Sequence, residues 1–260
     1  MPTTVGVPYM DAWRWRRDGV KRLRVRVDAT YRQARSHNVI GEIPGTDPRL
    51  PAIVFTSHVD TQPGNVGADD NAAGVAGILA LARWFASRPG RRTLRFIAFG
   101  AEEQLSVGAM HYVRENRISP SNTGLVVNLD STASPLGHFV LWTAGDERLG
   151  RFACHTFARR GIDATLKHEI TPFADCFPFN RMGIPSLWSR RVNFPGGRWQ
   201  HHSRHDTLEN VSIPDLMLLL PAVADLASNL AGRARWPFQA TLSPARRTAT
   251  RRLARELLGW

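Results

Sequence analysis

Residues 52–77, AIVFTSHVDTQPGNVGADDNAAGVAG, constrain the fold more than any other stretch of the chain. The short apolar run at residues 53–55 is typical of a strand buried inside a parallel sheet. Turn-forming residues follow at 63–65, and a helix is predicted after them. The apolar face of that helix consists of four residues at helical spacing: Val75, Ile78, Leu79 and Ala82. A strand followed by a helix is the repeating unit of open α/β sheets, which bind ligands at the carboxyl ends of their strands.

Polar side chains occupy that strand end. His58 and Asp60 point to the same side of an extended segment, because alternate residues of a strand share a face. A carboxylate in that position fixes the tautomer of a metal-bound histidine. Asp70 lies twelve residues after His58, across one loop, so both could face one metal ion. The other roles stay open on these residues alone: a strand-end histidine beside a turn residue, and turn or N-cap positions for Asp69, Asp70 and Asn71.

The same pattern recurs along the chain. Further acidic and histidine groups follow apolar runs or stand in one motif: Glu102 and Glu103 after residues 93–99, Asp130 after residues 125–129, and HHSRHDT at residues 201–207. Acids usually lie on solvated faces or at helix caps. Neither placement explains why carboxylates recur at the end of one buried strand after another. A metal site at that edge of the sheet would explain it.

Five motifs carry a resemblance to a known family. In order they are HVD, GADDNAAG, FGAEEQ, NLD and HHSRHDT, within about residues 38–230. Any one of them is weak, but five in order at compatible spacing resemble the M28 zinc aminopeptidases, which use co-catalytic zinc. The resemblance implies an α/β/α sandwich with a mixed, mainly parallel central sheet, of the zinc-exopeptidase or phosphorylase/hydrolase-like type.

The resemblance also implies a ligand set for two zinc ions: His58, Asp70, Glu103, Asp130 and His202. Asp70 would bridge the ions, because the family's bridging aspartate stands four residues before a glycine, here Gly74. The spacing H-x-x-x-D-T selects His202 rather than its neighbours His201 and His205. In the family the peptide bond after the bridging aspartate, here Asp70–Asn71, is cis.

Two further residues receive catalytic roles from the resemblance. Asp60 would stand behind His58, and Glu102 would be the general base. Mixed histidine and carboxylate ligation with an open position suits catalytic zinc, and two neighbouring metals can stabilise a developing oxyanion. Glu102 could take a proton from the attacking water and pass it to the leaving amine.

The function that follows is hydrolysis of the N-terminal peptide bond, with free-amine peptides as substrates. The first alternative is a carboxypeptidase or N-acyl amino acid deacylase with the same two-metal site, since the ligand set does not separate these activities. Glutaminyl cyclisation, seen in one-zinc relatives, is disfavoured by five intact ligands. A non-catalytic binding module is disfavoured by the retained ligands together with Glu102.

Residues beyond the ligands point to the substrate cavity. Aromatic side chains in and after the segment TPFADCFPFN could line an apolar pocket or belong to the core: Phe173, Phe177, Phe179 and Trp188. Arg190 or Arg191 could bind a substrate carboxylate, or be a solvated charge. Many relatives have an oxyanion-binding tyrosine before the last ligand; His201 stands there in this chain, which leaves the oxyanion helper open.

Composition and charge limit which binding partners and which cellular context are expected. The formal net charge is +12, carried almost wholly by arginine, and we interpret it as an arginine-rich surface rather than a nucleic-acid site, because no RNA-binding motif or basic reading helix accompanies it. The first 19 residues do not resemble a signal peptide, although the resembling family is often secreted. No apolar stretch of 18 residues predicts a membrane span. Cys154 and Cys176 are expected to be free thiols.

The 260 residues suit a single peptidase domain of the M28 type. Residues 1–35 resemble the edge or remnant of a protease-associated domain that some relatives insert, and residues 22–32 alternate as a half-exposed strand does. Residues 236–260 form a basic tail that is predicted to contain a surface helix. Ser212 is predicted to cap a helix that runs to about residue 230. The oligomeric state stays open.

Overall fold

The computed structural model describes residues 7–26, 28, 30, 32–192 and 200–259. The chain forms two compact units, Met1–Arg35 and Ser36–Trp260. In its described residues the first unit contains one helix, α1 (Tyr9–Arg17), which has no buried residue.

The strand predicted over residues 22–32 is wrong for the part of that segment that is described. Residues 22–26, 28, 30 and 32 carry no strand, while 27, 29 and 31 lie outside the described residues. Leu23 and Val25 are exposed. Alternation produces a strand only where a neighbouring strand pairs with the backbone polar groups and a core covers the apolar face.

The second unit is built on one seven-stranded sheet. Its strands are β1 (Val39–Ile43), β2 (Ala52–His58), β3 (Leu94–Phe99), β4 (Thr123–Leu129), β5 (His138–Ala144), β6 (Thr165–Lys167) and β7 (Ser186–Val192). Their order across the sheet is β1-β3-β2-β4-β7-β5-β6. The pairs β1 with β3 and β5 with β7 are antiparallel, and the other four pairs are parallel. The predicted mixed, mainly parallel sheet is therefore confirmed.

Helices cover both faces of the sheet. One layer consists of α2 (Ala73–Phe85), α4 (Glu147–Ala158) and α6 (Ile213–Ala231); the other contains α3 (Val107–Glu115) and α5 (Cys176–Arg181), and α7 (Pro244–Leu253) packs on α5. Successive residues of β2 face opposite layers: Ile53 and Phe55 belong to the first core, and Val54 to the second. This two-sided burial explains the continuous apolar runs in the sequence and confirms the α/β/α sandwich.

Helix α2 forms where it was predicted, but its apolar face is different. Gly77, Ile78 and Leu81 are buried, whereas Leu79 is 64% exposed. A Cβ atom at Gly77 would lie 3.2 Å from a side-chain carbon of Leu129, so the helix approaches the sheet closely along this line. Apolar residues occur all around α2, and the helical period by itself does not choose among its faces.

Helix α6 has the composition of a membrane span but lies in the core. Among the described residues it alone is long and apolar enough to cross a bilayer, with a mean hydropathy of 1.3. Leu219, Val223 and Leu230 are fully buried in the core of the first helix layer. The Ser212 side chain accepts a hydrogen bond from the Asp215 N–H at 3.3 Å, which confirms the predicted cap.

Two further predictions about individual residues are settled. Cys154 and Cys176 are free thiols, as expected. Phe177 and Phe179 are fully buried and belong to the core, so they do not line a substrate pocket. Burial raises the pKa of the Cys176 thiol to about 12, and such a thiol is unreactive at neutral pH.

Arg191 is a structural residue of β7. Its guanidinium donates to the carbonyl oxygens of Ser134 at 2.8 Å and Gly137 at 2.6 Å, and forms an ion pair with Asp215 at 3.1 Å. It is 7% exposed. The suggestion that Arg191 binds substrate is therefore wrong, because its donors bind the loop after β4 and the start of α6.

Replacing Arg191 by leucine should lower the free energy of unfolding by about 3 kcal/mol or more, because the Ser134 and Gly137 carbonyls and the Asp215 carboxylate lose a buried partner. Urea unfolding followed by circular dichroism measures this loss. Arg151→Leu is the matched control, since it removes an exposed pair with Glu147 and should change the value by less than about 1 kcal/mol. Equal effects of the two substitutions would contradict the structural role of Arg191.

Candidate metal centre

The site begins at the carboxyl end of β2. His58 is the last residue of this strand and is 1% exposed. Its Nε2 atom lies 3.2 Å from Asp70 Oδ1, 3.9 Å from Glu102 Oε2 and 4.0 Å from Asp130 Oδ1. Three carboxylates that are separated along the sequence therefore converge on one ring nitrogen.

A second group forms on the other oxygen of Asp70. The His202 Nε2 atom lies 3.4 Å from Asp70 Oδ2 and 3.2 Å from Glu103 Oε2. Gln62 donates to Glu103 Oε2 at 2.8 Å. Asp70 thus directs one oxygen to each histidine, and the five predicted ligands come together as two groups that share this carboxylate.

His201 also belongs to this part of the molecule. Its Nδ1 atom lies 2.9 Å from Asp70 Oδ2, closer than His202 Nε2, and the two imidazole rings lie 3.6 Å apart. His202, however, reaches both Asp70 and Glu103, and its backbone φ of 54° lies in the left-handed region. His205 is exposed and is not part of the possible metal-binding groups in the described residues.

Asp60 ties the first group to the second. Its two carboxylate oxygens accept from the backbone N–H groups of Glu102 at 3.0 Å and Glu103 at 3.1 Å. The His58 ring faces Asp60 mainly through the backbone: Nδ1 is 3.0 Å from the Asp60 carbonyl oxygen but 3.7 Å from Oδ1. Asp60 lies beside the Nδ1 edge of His58, but its backbone carbonyl and not the expected carboxylate is within hydrogen-bond distance of the ring; the carboxylate binds the Glu102–Glu103 backbone instead.

The loop that carries these two glutamates has an uncommon backbone. Ala101, Leu105 and Ser106 all adopt positive φ, with values of 58°, 66° and 54°. Such conformations cost free energy in residues other than glycine, and they persist only where the surrounding structure enforces them. Here the Asp60 carboxylate provides part of that enforcement, because it binds the loop at the Glu102 and Glu103 N–H groups.

Asp206 was missed as a site residue by the sequence argument. One of its oxygens accepts from the Asp69 N–H at 2.6 Å, and the other from the Asp70 N–H at 3.0 Å. Asp69 in turn accepts from the Ala133 N–H at 2.7 Å. Asp206 is the aspartate of the motif H-x-x-x-D-T, where it serves to identify His202 four residues earlier. Its place in that motif is the sequence signal that could have identified Asp206 as a site residue.

The Asp70–Asn71 peptide bond is cis, as the resemblance implies. The Asn71 amide donates to the Leu129 carbonyl at 3.0 Å and accepts from the Gly74 N–H at 3.1 Å. A Cβ atom at Gly74 would lie 2.2 Å from Asn71 Oδ1 and 2.3 Å from the Leu129 carbonyl oxygen. Only glycine allows this approach, which packs the start of α2 against the end of β4.

Asp175 is a second carboxylate that the sequence argument did not assign. It precedes α5, is 1% exposed, and neither of its carboxylate oxygens has a hydrogen-bond partner in the described residues. Burial, and then the nearby charge of Glu102, raise its pKa well above the usual range. The Asp175 carboxyl group therefore favours its neutral form more than an ordinary aspartate does.

Burial and neighbouring groups shift the pKa values of both histidines and both glutamates of the site. Burial alone would lower the pKa of His58, but Asp70, Asp130 and Glu102 raise it well above its ordinary value. Hydrogen bonds to Asp70 and Glu103 raise the pKa of His202 to about 9. Burial raises the pKa of Glu102 to about 8. Burial would also raise that of Glu103, but hydrogen bonds from His202 and Gln62 lower it.

The donor set fits divalent metal ions. His58, Asp70 and Asp130 form one compact group of buried donors. In the described residues Glu103 Oε1 is buried without a hydrogen-bond partner, although its other oxygen is bound. Several carboxylates gathered out of water are costly unless cations compensate them. Mixed imidazole and carboxylate donors with free ligand positions are those of catalytic zinc sites.

Comparison with known proteins agrees with this geometry. Residues 38–226 match the model of peptidase family M28, and the match includes every predicted ligand. The chain belongs to peptidase family M28.

Similarity to individual M28 proteins extends over most of the chain. Aminopeptidase YwaD of Bacillus subtilis is 31% identical over 189 residues, which are 68% of this chain and 41% of that protein. Carboxypeptidase Q of Xenopus laevis is 29% identical over 201 residues, 75% of this chain and 41% of that protein. The solved structure of BSAP, a zinc aminopeptidase from Bacillus subtilis, is 25% identical with a TM-score of 0.68, covering 78% of this chain and 52% of that one. The chain therefore spans about half or less of these relatives' length.

Zinc binding to the metal-free protein at pH 7 should release protons, because a pKa of about 9 keeps His202 protonated, the pKa of His58 is raised as well, and only neutral imidazole binds metal. Affinity should accordingly rise with pH up to about 9, where His202 loses its proton without metal. Titration calorimetry in buffers of different ionisation enthalpy counts the protons.

His205→Ala is the matched control for this count and should leave it unchanged, whereas His202→Ala should lower both the count and the affinity. Loss of zinc affinity in His205→Ala alone would show that the wrong histidine of HHSRHDT had been chosen.

Proposed function

We propose that this chain is a zinc-dependent exopeptidase that removes the N-terminal residue from peptides with a free amino group. The observation that carries the proposal is the pair of histidine–carboxylate groups sharing Asp70, with Glu102 beside them. Both groups face a cavity of about 650 Å³. Membership of family M28 supports a peptidase, and two of the similar proteins are named aminopeptidases.

The proposed ligands divide between two zinc ions. His58 and Asp130 would hold one ion, Glu103 and His202 the other, and Asp70 would contact both. Bound zinc would supply positive charge that activates water and polarises the scissile carbonyl group. Asp206 and Asp60 would keep the ligands in place, since the first binds the Asp70 N–H and the second binds the Glu103 N–H.

Glu102 is the proposed general base. It lies at the cavity wall, and its Oε2 atom is 3.9 Å from His58 Nε2, near the first ligand group without belonging to the proposed set. A pKa raised to about 8 by burial means that this carboxyl exchanges a proton close to neutral pH. Glu102 would take the proton of the attacking water and give it to the leaving amine as the C–N bond breaks.

The carboxylates of the cavity favour a substrate with a free amine. Asp70, Glu102, Glu103 and Asp130 all line it. A protonated α-amine is attracted by these groups, whereas an acylated amine carries no charge and gains nothing from them. His201, beside Asp70, offers a ring N–H that could stabilise the oxyanion, in the place of the tyrosine expected from the resemblance.

A paired substrate panel tests the proposal. Aminoacyl-arylamides with a free amine are compared with the same compounds N-acetylated, using the zinc-loaded chain. The free-amine compounds should be cleaved and the acetylated ones should not. Cleavage of only the acetylated set would replace the proposal by an N-acyl deacylase, and cleavage of only peptides with a free C-terminal carboxylate would replace it by a carboxypeptidase.

Glu102→Gln should leave the bound zinc unchanged, because Glu102 is not in the proposed ligand set, while kcat falls about 10²- to 10⁴-fold through loss of the general base. Metal analysis and arylamide hydrolysis measure the two effects. Thr171→Ala serves as the control for a change at the cavity wall, because the Thr171 hydroxyl accepts a hydrogen bond from the Phe173 N–H rather than contacting a proposed ligand. Activity of Glu102→Gln near that of the unsubstituted chain would remove Glu102 from the mechanism.

A further inference from the structure

A second cavity lies on the helix layer formed by α3, α5 and α7. Its volume of about 690 Å³ falls within the range of about 300–1,000 Å³ that is common for ligand-binding clefts. The cavity over the metal centre, which Phe173, Trp188 and Arg190 help to line, shares no lining residue with it. The steps proposed for peptide hydrolysis therefore do not use this second cavity.

The second cavity is named here the arginine groove. Five of its lining residues are arginines: Arg114, Arg117, Arg181, Arg247 and Arg251. They come from all three helices or the residues just after them. Among the described residues no acid lines the groove, and the three helices together contain a single acid, Glu115. The groove thus gathers positive charge without the acids that usually accompany it.

Four of these arginines are free to bind an anion. Arg114 pairs with Glu115 at 3.1 Å, an exposed and therefore weak pair. The other four make no side-chain hydrogen bond or ion pair with any residue that the structure describes. On the opposite helix layer, by contrast, three exposed arginines each pair with an acid: Arg148, Arg151 and Arg160. Gathered positive charges repel one another, so a bound anion would relieve this repulsion.

The floor of the groove is apolar. Val113 and Pro178 are buried, Met110 is half-buried, and Met182 is 43% exposed. Helix α5 contacts both α3 and α7, so it provides the floor between the arginines of the two outer helices. The anion that fits this groove therefore also carries an apolar group.

The row of arginines on α7 matches an extended peptide. Arg247 and Arg251 are four residues apart and share a face of the helix, about 6 Å apart along its axis. Alternate side chains of an extended peptide point to the same side and lie about 6.6 Å apart. Acidic residues at alternate positions can therefore contact successive arginines of this row, while an apolar residue between them reaches the floor.

Two other anionic partners fit the groove less well. The buried side chains of Val113 and Pro178 lie beneath the arginines, whereas a helix that binds a bilayer projects its apolar side chains outward. Single-stranded nucleic acids bind proteins largely by stacking their bases on aromatic rings. No aromatic side chain of the described residues lines the groove.

We propose that the arginine groove binds an extended acidic segment of a partner protein. Carboxylates of the segment bind Arg181, Arg247 and Arg251, and an apolar side chain packs against Met110 and Met182. Guanidinium and carboxylate groups form charged, two-pronged hydrogen bonds, which are stronger than neutral ones. Burial of the apolar side chain adds to the affinity. Binding at this groove does not depend on the reaction at the metal centre.

Fluorescence anisotropy tests the proposal with a labelled, N-acetylated peptide, Glu-Ser-Glu-Leu-Glu-Ser-Glu, and the zinc-loaded full chain. Acetylation removes the free amine that the proposed peptidase activity requires. The peptide with glutamine at every glutamate position keeps the shape but loses the charge, so its Kd should be at least about tenfold higher. Replacing the leucine by glycine should raise the Kd about fivefold through loss of the apolar contact. Added salt should weaken binding by screening the charges.

The double variant Arg247→Gln, Arg251→Gln should raise the Kd about tenfold or more, because two charged contacts are lost. Arg83→Gln, Arg235→Gln is the matched control: both arginines are exposed, lie outside the groove and remove the same net charge. It should leave the Kd nearly unchanged. The pair Arg247→Lys, Arg251→Lys keeps the charge but loses the forked donors and should give an intermediate Kd. Thermal unfolding shows that each variant is folded.

The other outcomes overturn the proposal. Equal weakening by the groove variant and the control variant would show general attraction to a basic protein. Equal binding of the glutamate and glutamine peptides, or no binding of either, would remove the acidic segment as the ligand. Oligodeoxythymidine and phosphatidylserine vesicles are titrated in parallel, and tighter binding of either that depends on Arg247 and Arg251 would replace the peptide by a nucleic acid or a membrane. Failure of arylamide hydrolysis would overturn the proposed function and leave this binding result standing.

Discussion

The crowding of carboxylates at one edge of the sheet is the constraint on which the rest of the site depends. The acids concerned lie on or after four strands and before two helices: Asp60, Asp69, Asp70, Glu102, Glu103, Asp130, Asp175 and Asp206. Such a concentration of negative charge away from water is unfavourable unless each group is compensated. Three of these acids bind backbone N–H groups, burial raises the pKa of Asp175 and so favours its neutral form, and the rest surround His58 and His202, where bound cations would compensate them.

The sheet makes this arrangement possible. Parallel pairing of β2 with β3 and β4, and of β4 with β7, brings four strand ends to one edge, where loops leave the core. Residues that are far apart in the sequence then meet without any long excursion of the chain. The close approach at Gly74 and the hydrogen bonds of Asn71 hold the loop before α2 against this edge. The site is therefore mounted on the rigid part of the fold, as accurate ligand placement requires.

The parts predicted from the sequence were those with a strong local signal. Buried parallel strands read as continuous apolar runs, and the spacing of Asp70 from Gly74 or of His202 from Asp206 is a property of the sequence itself. The apolar face of α2 was not predictable, because that helix is apolar on several sides and only the approach of Leu129 selects Gly77. The alternation at residues 22–26 failed because strand formation needs a pairing partner, which a local pattern does not contain.

The roles that escaped prediction are set by tertiary contacts. Arg190 and Arg191 are adjacent and identical in type, yet one lines the cavity and the other binds carbonyls of a loop, since neighbouring residues of a strand face opposite sides. Asp175 likewise has the sequence context of an ordinary loop acid. The charges around it come from residues at the ends of β2, β3 and β4, and no property of its own segment reports them.

Asp60 contacts three residues of the site at once. A single carboxylate holds the backbone of both Glu102 and Glu103, and the same residue's carbonyl oxygen faces the His58 ring. The distances among His58, Glu103 and the proposed general base Glu102 therefore all depend on this one residue. A substitution that moves Asp60 would shift His58, Glu102 and Glu103 together. Metal binding and proton transfer could therefore not be changed independently at this position.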